Sequence, residues 1–212
     1  MVIKPTENPA NAIIRKVISN KETNNPENIS SFKYKSYNKM VYDVKTDGTT
    51  KTDSINAKMK GKLLKDSPLF MMESVSERKF IAPDISEEVV IGTKVSGFQN
   101  PSFASLATDL QPFSFYKDNI KLFEIQYLNP ISKGSLKKYN FTLEDTIFQN
   151  KDTVYIISFQ PKKNKNFEGL KGQLYINTNK YAVQNVIATP FEKAKIDIKI
   201  QQQYVFVENK YW

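Results

Sequence analysis

Hydrophobic and polar positions alternate most regularly in the last third of the chain. Between Tyr139 and Phe206 they mark out five strands: Tyr139–Phe148, Val154–Gln160, Gly172–Ile176, Tyr181–Ala188 and Lys195–Phe206. Polar turns rich in Asn, Asp, Lys and Pro separate them, such as Gln149-Asn150-Lys151-Asp152 and Asn177-Thr178-Asn179. Links this short favour antiparallel neighbours, because a parallel return needs a crossover of roughly a dozen residues or more. The pattern predicts one curved, largely antiparallel meander, half-barrel-like, around which the rest of the chain is organised.

Upstream the periodicity changes. Asn8-Pro9 combines a favoured N-cap with a favoured first helical residue, and Ile13, Ile14, Val17 and Ile18 then share one face at helical spacing. Ser31–Val44 alternates, with Phe32, Tyr34, Met40 and Tyr42 on one side and Lys33, Lys35, Lys39 and Asp43 on the other. Asp53–Leu64 fits neither period well. Leu69–Ile81 and Glu87–Val95 read as two further strands around Pro83-Asp84-Ile85-Ser86. Asn100-Pro101 starts a second helix with the stripe Phe103, Leu106, Ala107 and Leu110. Asn129-Pro130 signals a third, of one or two turns, over Ile131–Leu136. The expected class is α+β: an antiparallel sheet with two or three short helices packed on it, in a single domain spanning residues 1–212. The expected core comprises Ile13, Ile14, Val17, Phe32, Tyr34, Phe103, Leu106, Leu110, Ile156, Leu174, Ile176, Val183, Ile196 and Ile198.

Composition removes much chemistry. The chain has neither Cys nor His, so disulfides, thiol nucleophiles, Ser-His-Asp triads and the usual zinc and haem ligand sets are excluded. No cofactor, metal ligand or catalytic residue is expected. Lys and Arg number 31 against 22 Asp and Glu, a net charge of +9. That excess suits a phosphate-bearing partner, but the lysines are spread along the chain. The densest group, Lys162, Lys163 and Lys165, falls in a turn, where charge runs are usually solvated.

Ser-x-x-Lys occurs at Ser30, Ser36, Ser76 and Ser135, as a Lys-rich chain produces by chance, and the companion Lys-Thr-Gly motif is absent. Glu73 and Glu77 share a strand face and suit an exposed surface better than an acid–base pair. The most aromatic stretch carries Phe113, Phe115, Tyr116, Phe123 and Tyr127. These five are the candidate ligand or interaction residues.

Several stretches taken in order carry a family resemblance. They are Asn11–Ile18, Phe32–Lys39, Glu73–Glu77, Val95–Phe98, Asn129–Ser132 and Phe167–Gly169 with Tyr175-Ile176. The series resembles the middle region of an uncharacterised family of Gram-negative envelope proteins, the carboxypeptidase-regulatory-like-domain proteins. In that family a β-sandwich precedes this region and an outer-membrane barrel follows. The meander is also similar, more weakly, to that of periplasmic lipoprotein carriers, which is an analogy of fold.

The resemblance implies a non-enzymatic periplasmic domain on the inner side of the outer membrane. Its partner would be the barrel portion of the same protein. It would act as a scaffold, or would bind an apolar, lipid-like ligand in the concave sheet. Nucleic acid is not expected as a partner. The alternatives are a hydrolase using Ser with Lys or paired carboxylates, and a basic module binding anionic lipid or nucleic acid. The opening Met-Val-Ile-Lys-Pro-Thr-Glu lacks the pattern of an export leader. The chain therefore reads as an internal piece of a longer envelope protein, with Lys195–Phe206 expected at a sheet edge.

Overall fold

The computed structural model describes residues 7–42, 70–83, 85–97, 113–122, 125–149, 151–163, 166–192 and 199–212. The fold is largely antiparallel β with a few short helical elements, and its two larger sheets are open. In chain order the helices are α1 (Pro9–Ser19) and α2 (Lys21–Asn24). The strands are β1 (Ser31–Tyr42), β2 (Phe70–Ile81), β3 (Ile85–Gly97), β4 (Asn119–Leu122), β5 (Ile125–Leu128), β6 (Tyr139–Gln149), β7 (Asp152–Pro161), β8 (Leu170–Asn177), β9 (Ala182–Pro190) and β10 (Ile200–Gln203). They gather in two compact units. One carries α1, α2 and β4–β10; the other carries β1–β3.

In the first unit the expected meander is present, with the strands in the order β10-β9-β8-β7-β6 and every pair antiparallel. Register places Phe141 opposite Phe159, Ile157 opposite Leu174, and Leu174 opposite Val186. All of these are buried, so one face of the sheet is the core. The other face presents Asn140, Thr142, Ser158, Lys171, Gln173 and Thr189. Helix α1 touches β6 and brings buried Ile13, Ile14 and Val17. Its N-cap is Asn8, as expected. The Asn8 side chain accepts from Ala10 N–H and donates to the Phe141 carbonyl, which ties the helix start to β6.

β10 lies at the edge of the sheet, as expected, but is shorter than the expected strand. Ile196 and Ile198 lie outside the described residues, as do the Asn100–Leu110 helix with Phe103, Leu106 and Leu110, and the Asp53–Leu64 stretch. Two expectations in this unit need correction. Ile156 is only half-buried, whereas Ile157 is fully buried. Ile157 stands with buried Phe159 on the core face of β7, opposite buried Leu174, and alternation sends Ile156 to the other face. Ile131–Leu136 is not an α-helix. It is a run of turns ending in one 3-10 turn, Ser135–Lys137, after Gly134 at φ 83°.

In the second unit β1, β2 and β3 form a sheet in that order, close to their expected bounds. Phe32 and Tyr34 are half-buried rather than buried. Phe32 stacks between Tyr34 and buried Phe80 along one face, at centroid separations of 5.6 and 5.0 Å.

Gly172 sits opposite Ala188 in the β8–β9 ladder. A Cβ there would overlap the Ile187 carbonyl oxygen, a backbone atom that cannot swing aside. Gly172→Ala is expected to lower stability by about 1–3 kcal/mol through forced separation of the strands. Urea unfolding followed by far-UV circular dichroism measures this.

Candidate functional site

The aromatic stretch is built into the first unit. Phe115, Tyr116 and Tyr127 are buried and Phe113 is half-buried; Phe123 lies outside the described residues. What holds this stretch is Asn129. It follows the β4–β5 hairpin and is fully buried. Its side-chain amide donates to the carbonyls of Phe115 and Lys117, and its Oδ1 accepts from Ile131 N–H at 2.9 Å. Asn129-Pro130 is therefore a side-chain-closed turn rather than a helix cap. Both uses start from the same local hydrogen bond, so the dipeptide alone does not separate them.

Three tyrosine hydroxyls then tie this cover to the sheet. Tyr116 accepts from Val183 N–H at 2.9 Å, next to a bulge between β8 and β9. Tyr204 accepts from Phe115 N–H at 2.9 Å and donates to Gln202. Tyr139 donates to the Leu128 carbonyl and accepts from Leu170 N–H at 3.2 Å. Each ring fills apolar space while its tip satisfies a backbone group that would otherwise be orphaned. Burial raises the pKa of the Tyr116 hydroxyl well above its ordinary value and pushes that of Tyr139 up to about 12. Lys21, itself buried, pairs with Asp118 at the start of the hairpin.

On the opposite, polar face of the five-stranded sheet is an open depression of about 460 Å³. Its lining includes Asn140, Thr142, Ser158, Gln160, Lys171 and Gln173. Amides and hydroxyls with a single cation and no carboxylate in the lining can donate and accept hydrogen bonds. They do not supply the paired titratable groups that acid–base catalysis uses.

In the second unit Glu73 and Glu77 do share a face, as expected. There they meet lysines across the β1–β2 ladder: Lys33 at 3.1 Å and Lys35 at 3.4 Å from Glu77, and Lys39 at 3.5 Å from Glu73. The Tyr37 hydroxyl donates to Glu73 at 2.6 Å. The Tyr37 hydrogen bond holds the Glu73 carboxyl below its ordinary pKa, and Lys33 does the same for Glu77. Of the serines followed by lysine, Ser76 is buried and bonds Ser36 at 2.8 Å and Glu88 at 2.6 Å. Lys79, an odd number of positions along the same strand, faces the other way and pairs with Glu87 at 3.6 Å. Lys39, likewise on the face opposite Ser36, pairs with Glu73. Ser135 is buried, while Lys138 lies over the Phe167 ring. Among the described residues no three His, Cys, Asp or Glu side chains gather as a metal site.

These contacts carry energetic consequences that can be measured. Asn129→Ala removes three hydrogen bonds and strands the buried Phe115 carbonyl and Ile131 amide together with the partly buried Lys117 carbonyl. It is expected to cost about 2–3 kcal/mol in a urea titration.

The pH dependence of stability has a sign at each end. The folded pKa values of Glu73 and Glu77 lie below an unfolded value of about 4.3, so their contribution is present above that pH and is lost as pH falls through the lowered values. Tyr139 works in the other direction. Its contribution is full below an unfolded pKa of about 10 and is lost as pH rises towards about 12. Thermal midpoints measured across pH should show Glu77→Gln flattening the acid limb and Tyr139→Phe flattening the alkaline limb.

No curated protein and no solved structure matches the chain. A family model does, over residues 13–212, and the chain therefore belongs to the family of unknown function DUF5686.

Proposed function

We propose that the chain is a non-catalytic scaffold domain of an envelope protein. It would sit on the periplasmic side of the outer membrane beside the barrel portion of the same protein. The order of motifs that resembles the carboxypeptidase-regulatory-like-domain proteins supports the compartment and the partner.

The observation that carries the scaffold role is the use made of the aromatic stretch. Phe115, Tyr116 and Tyr127 are buried, and the Tyr116 hydroxyl is bonded to the backbone of the sheet. In this reading the meander is a half-barrel whose apolar side is filled by its own side chains. A lipid-like ligand would have to displace Asn129 and its three hydrogen bonds.

Titration of the chain with N-phenyl-1-naphthylamine is expected to give no saturable rise in fluorescence. A saturable rise would favour the ligand-binding role instead. The compartment is tested separately on the full-length protein in its own cells. Added protease should leave the domain intact in whole cells and cut it once the outer membrane is permeabilised. Cleavage in whole cells, or protection that persists until the inner membrane is broken, would count against the periplasmic placement.

A further inference from the structure

The two outer strands of the β1–β3 sheet are treated very differently. Exposed sheet edges are normally defended against pairing by lysines, proline or shortness. β1 is defended: Lys33, Lys35 and Lys39 line it. β3 is not. It is 13 residues long, contains no proline, and has Val89-Val90-Ile91 at its middle. Ile85, Val89, Val90, Ile91 and Val95 are 43–61% exposed. Among the described residues β3 has a neighbour on one side only.

We propose that β3 is a homodimerisation edge, on which two copies of the chain pair antiparallel with Glu87 of one opposite Lys94 of the partner subunit. Charge and register argue for a second copy rather than a foreign strand. Lys94, Gly92, Val89 and Glu87 pair with Glu73, Val75, Glu77 and Lys79 of β2. The β2 partners are alternate residues, so these four β3 residues share one face and one hydrogen-bonding phase. The bulge between Gly92 and Val90 makes that possible, because it shifts the alternation by one.

β3 is consequently self-complementary about a centre between Val90 and Ile91. Antiparallel pairing about that centre sets Glu87 against Lys94, Val89 against Gly92 and Val90 against Ile91, twice over by symmetry. A slip of one residue would set Glu88 against Lys94. Glu88 pairs with Arg78 and lies on the other face, so that register loses the charge match. The joined sheet would cover the exposed Val-Val-Ile centre of both copies and satisfy both free backbone edges.

The inference does not depend on the scaffold role or on the compartment, and the test uses the 212-residue chain alone. Sedimentation velocity across micromolar concentrations should show a monomer–dimer equilibrium. Glu87→Lys alone and Lys94→Glu alone each set like charges at both symmetric positions. Each should weaken dimerisation by about tenfold.

An equal mixture of the two variants restores opposite charges at both positions, one pair in the native sense and the other with its signs exchanged. It should dimerise as tightly as the unaltered chain. Glu87 also pairs with Lys79 within its own copy, so folding of each variant is checked by circular dichroism. Val90→Lys provides a second route: it places a charge at the exposed centre and should abolish the dimer with the monomer fold intact. A chain that stays monomeric throughout, a dimer indifferent to the single reversals, or a mixture that fails to recover would each overturn the proposal.

Discussion

The apolar side of the five-stranded meander has to be covered, and most of the first unit follows from that requirement. Strand alternation sends Phe141, Ile157, Phe159, Leu174, Ile176 and Val186 to one side, and all are buried. Burial of such side chains is worth about 1.5–3 kcal/mol each, so the sheet needs a lid. The lid comes from two places far apart in sequence. One is α1, with its stripe of Ile13, Ile14 and Val17; the other is the stretch from Phe115 to Ile131. Irregular backbone under such a lid carries polar groups that must be paired. Asn129 pairs them from within the lid, Tyr139 and Tyr204 reach them from the sheet side, and Tyr116 reaches back to Val183 N–H, so each of these tyrosines serves packing and hydrogen bonding at once.

That arrangement favours the scaffold use proposed for the aromatic stretch over ligand binding. A ligand site is a cavity with a few polar groups pointing into it. Here the polar tips point at the protein's own backbone, with the Tyr116 oxygen 2.9 Å from the Val183 nitrogen and the Tyr204 oxygen 2.9 Å from the Phe115 nitrogen. The side chains are committed to holding the fold together, and chemistry is left to the polar face. There the depression offers amides, hydroxyls and Lys171, groups that donate and accept hydrogen bonds.

How much of this could be read from the sequence depends on how local each signal is. Strands with clean alternation, such as β1, β8 and β9, lie within a few residues of where the pattern puts them, and Asn8-Pro9 starts a helix as written. The order of the meander was also legible, because short turns leave antiparallel neighbours as the simplest solution. What was not legible needs information from across the sheet. Which of the adjacent Ile156 and Ile157 faces the core depends on the phase of β7 against its neighbours, where Ile157 sits opposite buried Leu174. Asn129-Pro130 closes a turn rather than a helix because the Asn129 amide finds the Phe115 and Lys117 carbonyls on an earlier part of the chain. The aromatic stretch shows its composition in sequence but not which way its rings face.

The placement of charge can be read in the same local way. A net +9 invites a polyanionic partner when read as a total. In the β1–β3 sheet, however, Lys33, Lys35 and Lys39 have carboxylates within 3.5 Å, and Lys79 has one at 3.6 Å. These four lysines face three carboxylates, Glu73, Glu77 and Glu87, so as a group they are close to neutral and account for little of the net excess. Their position on an outer strand supplies a sufficient physical reason for them. They solvate an edge and oppose indiscriminate pairing there, while Glu73 and Glu77 keep them in register. The same sheet concentrates its lysines on the β1 side and leaves β3 apolar at its centre. This asymmetry says more about what the sheet can meet than the net charge does.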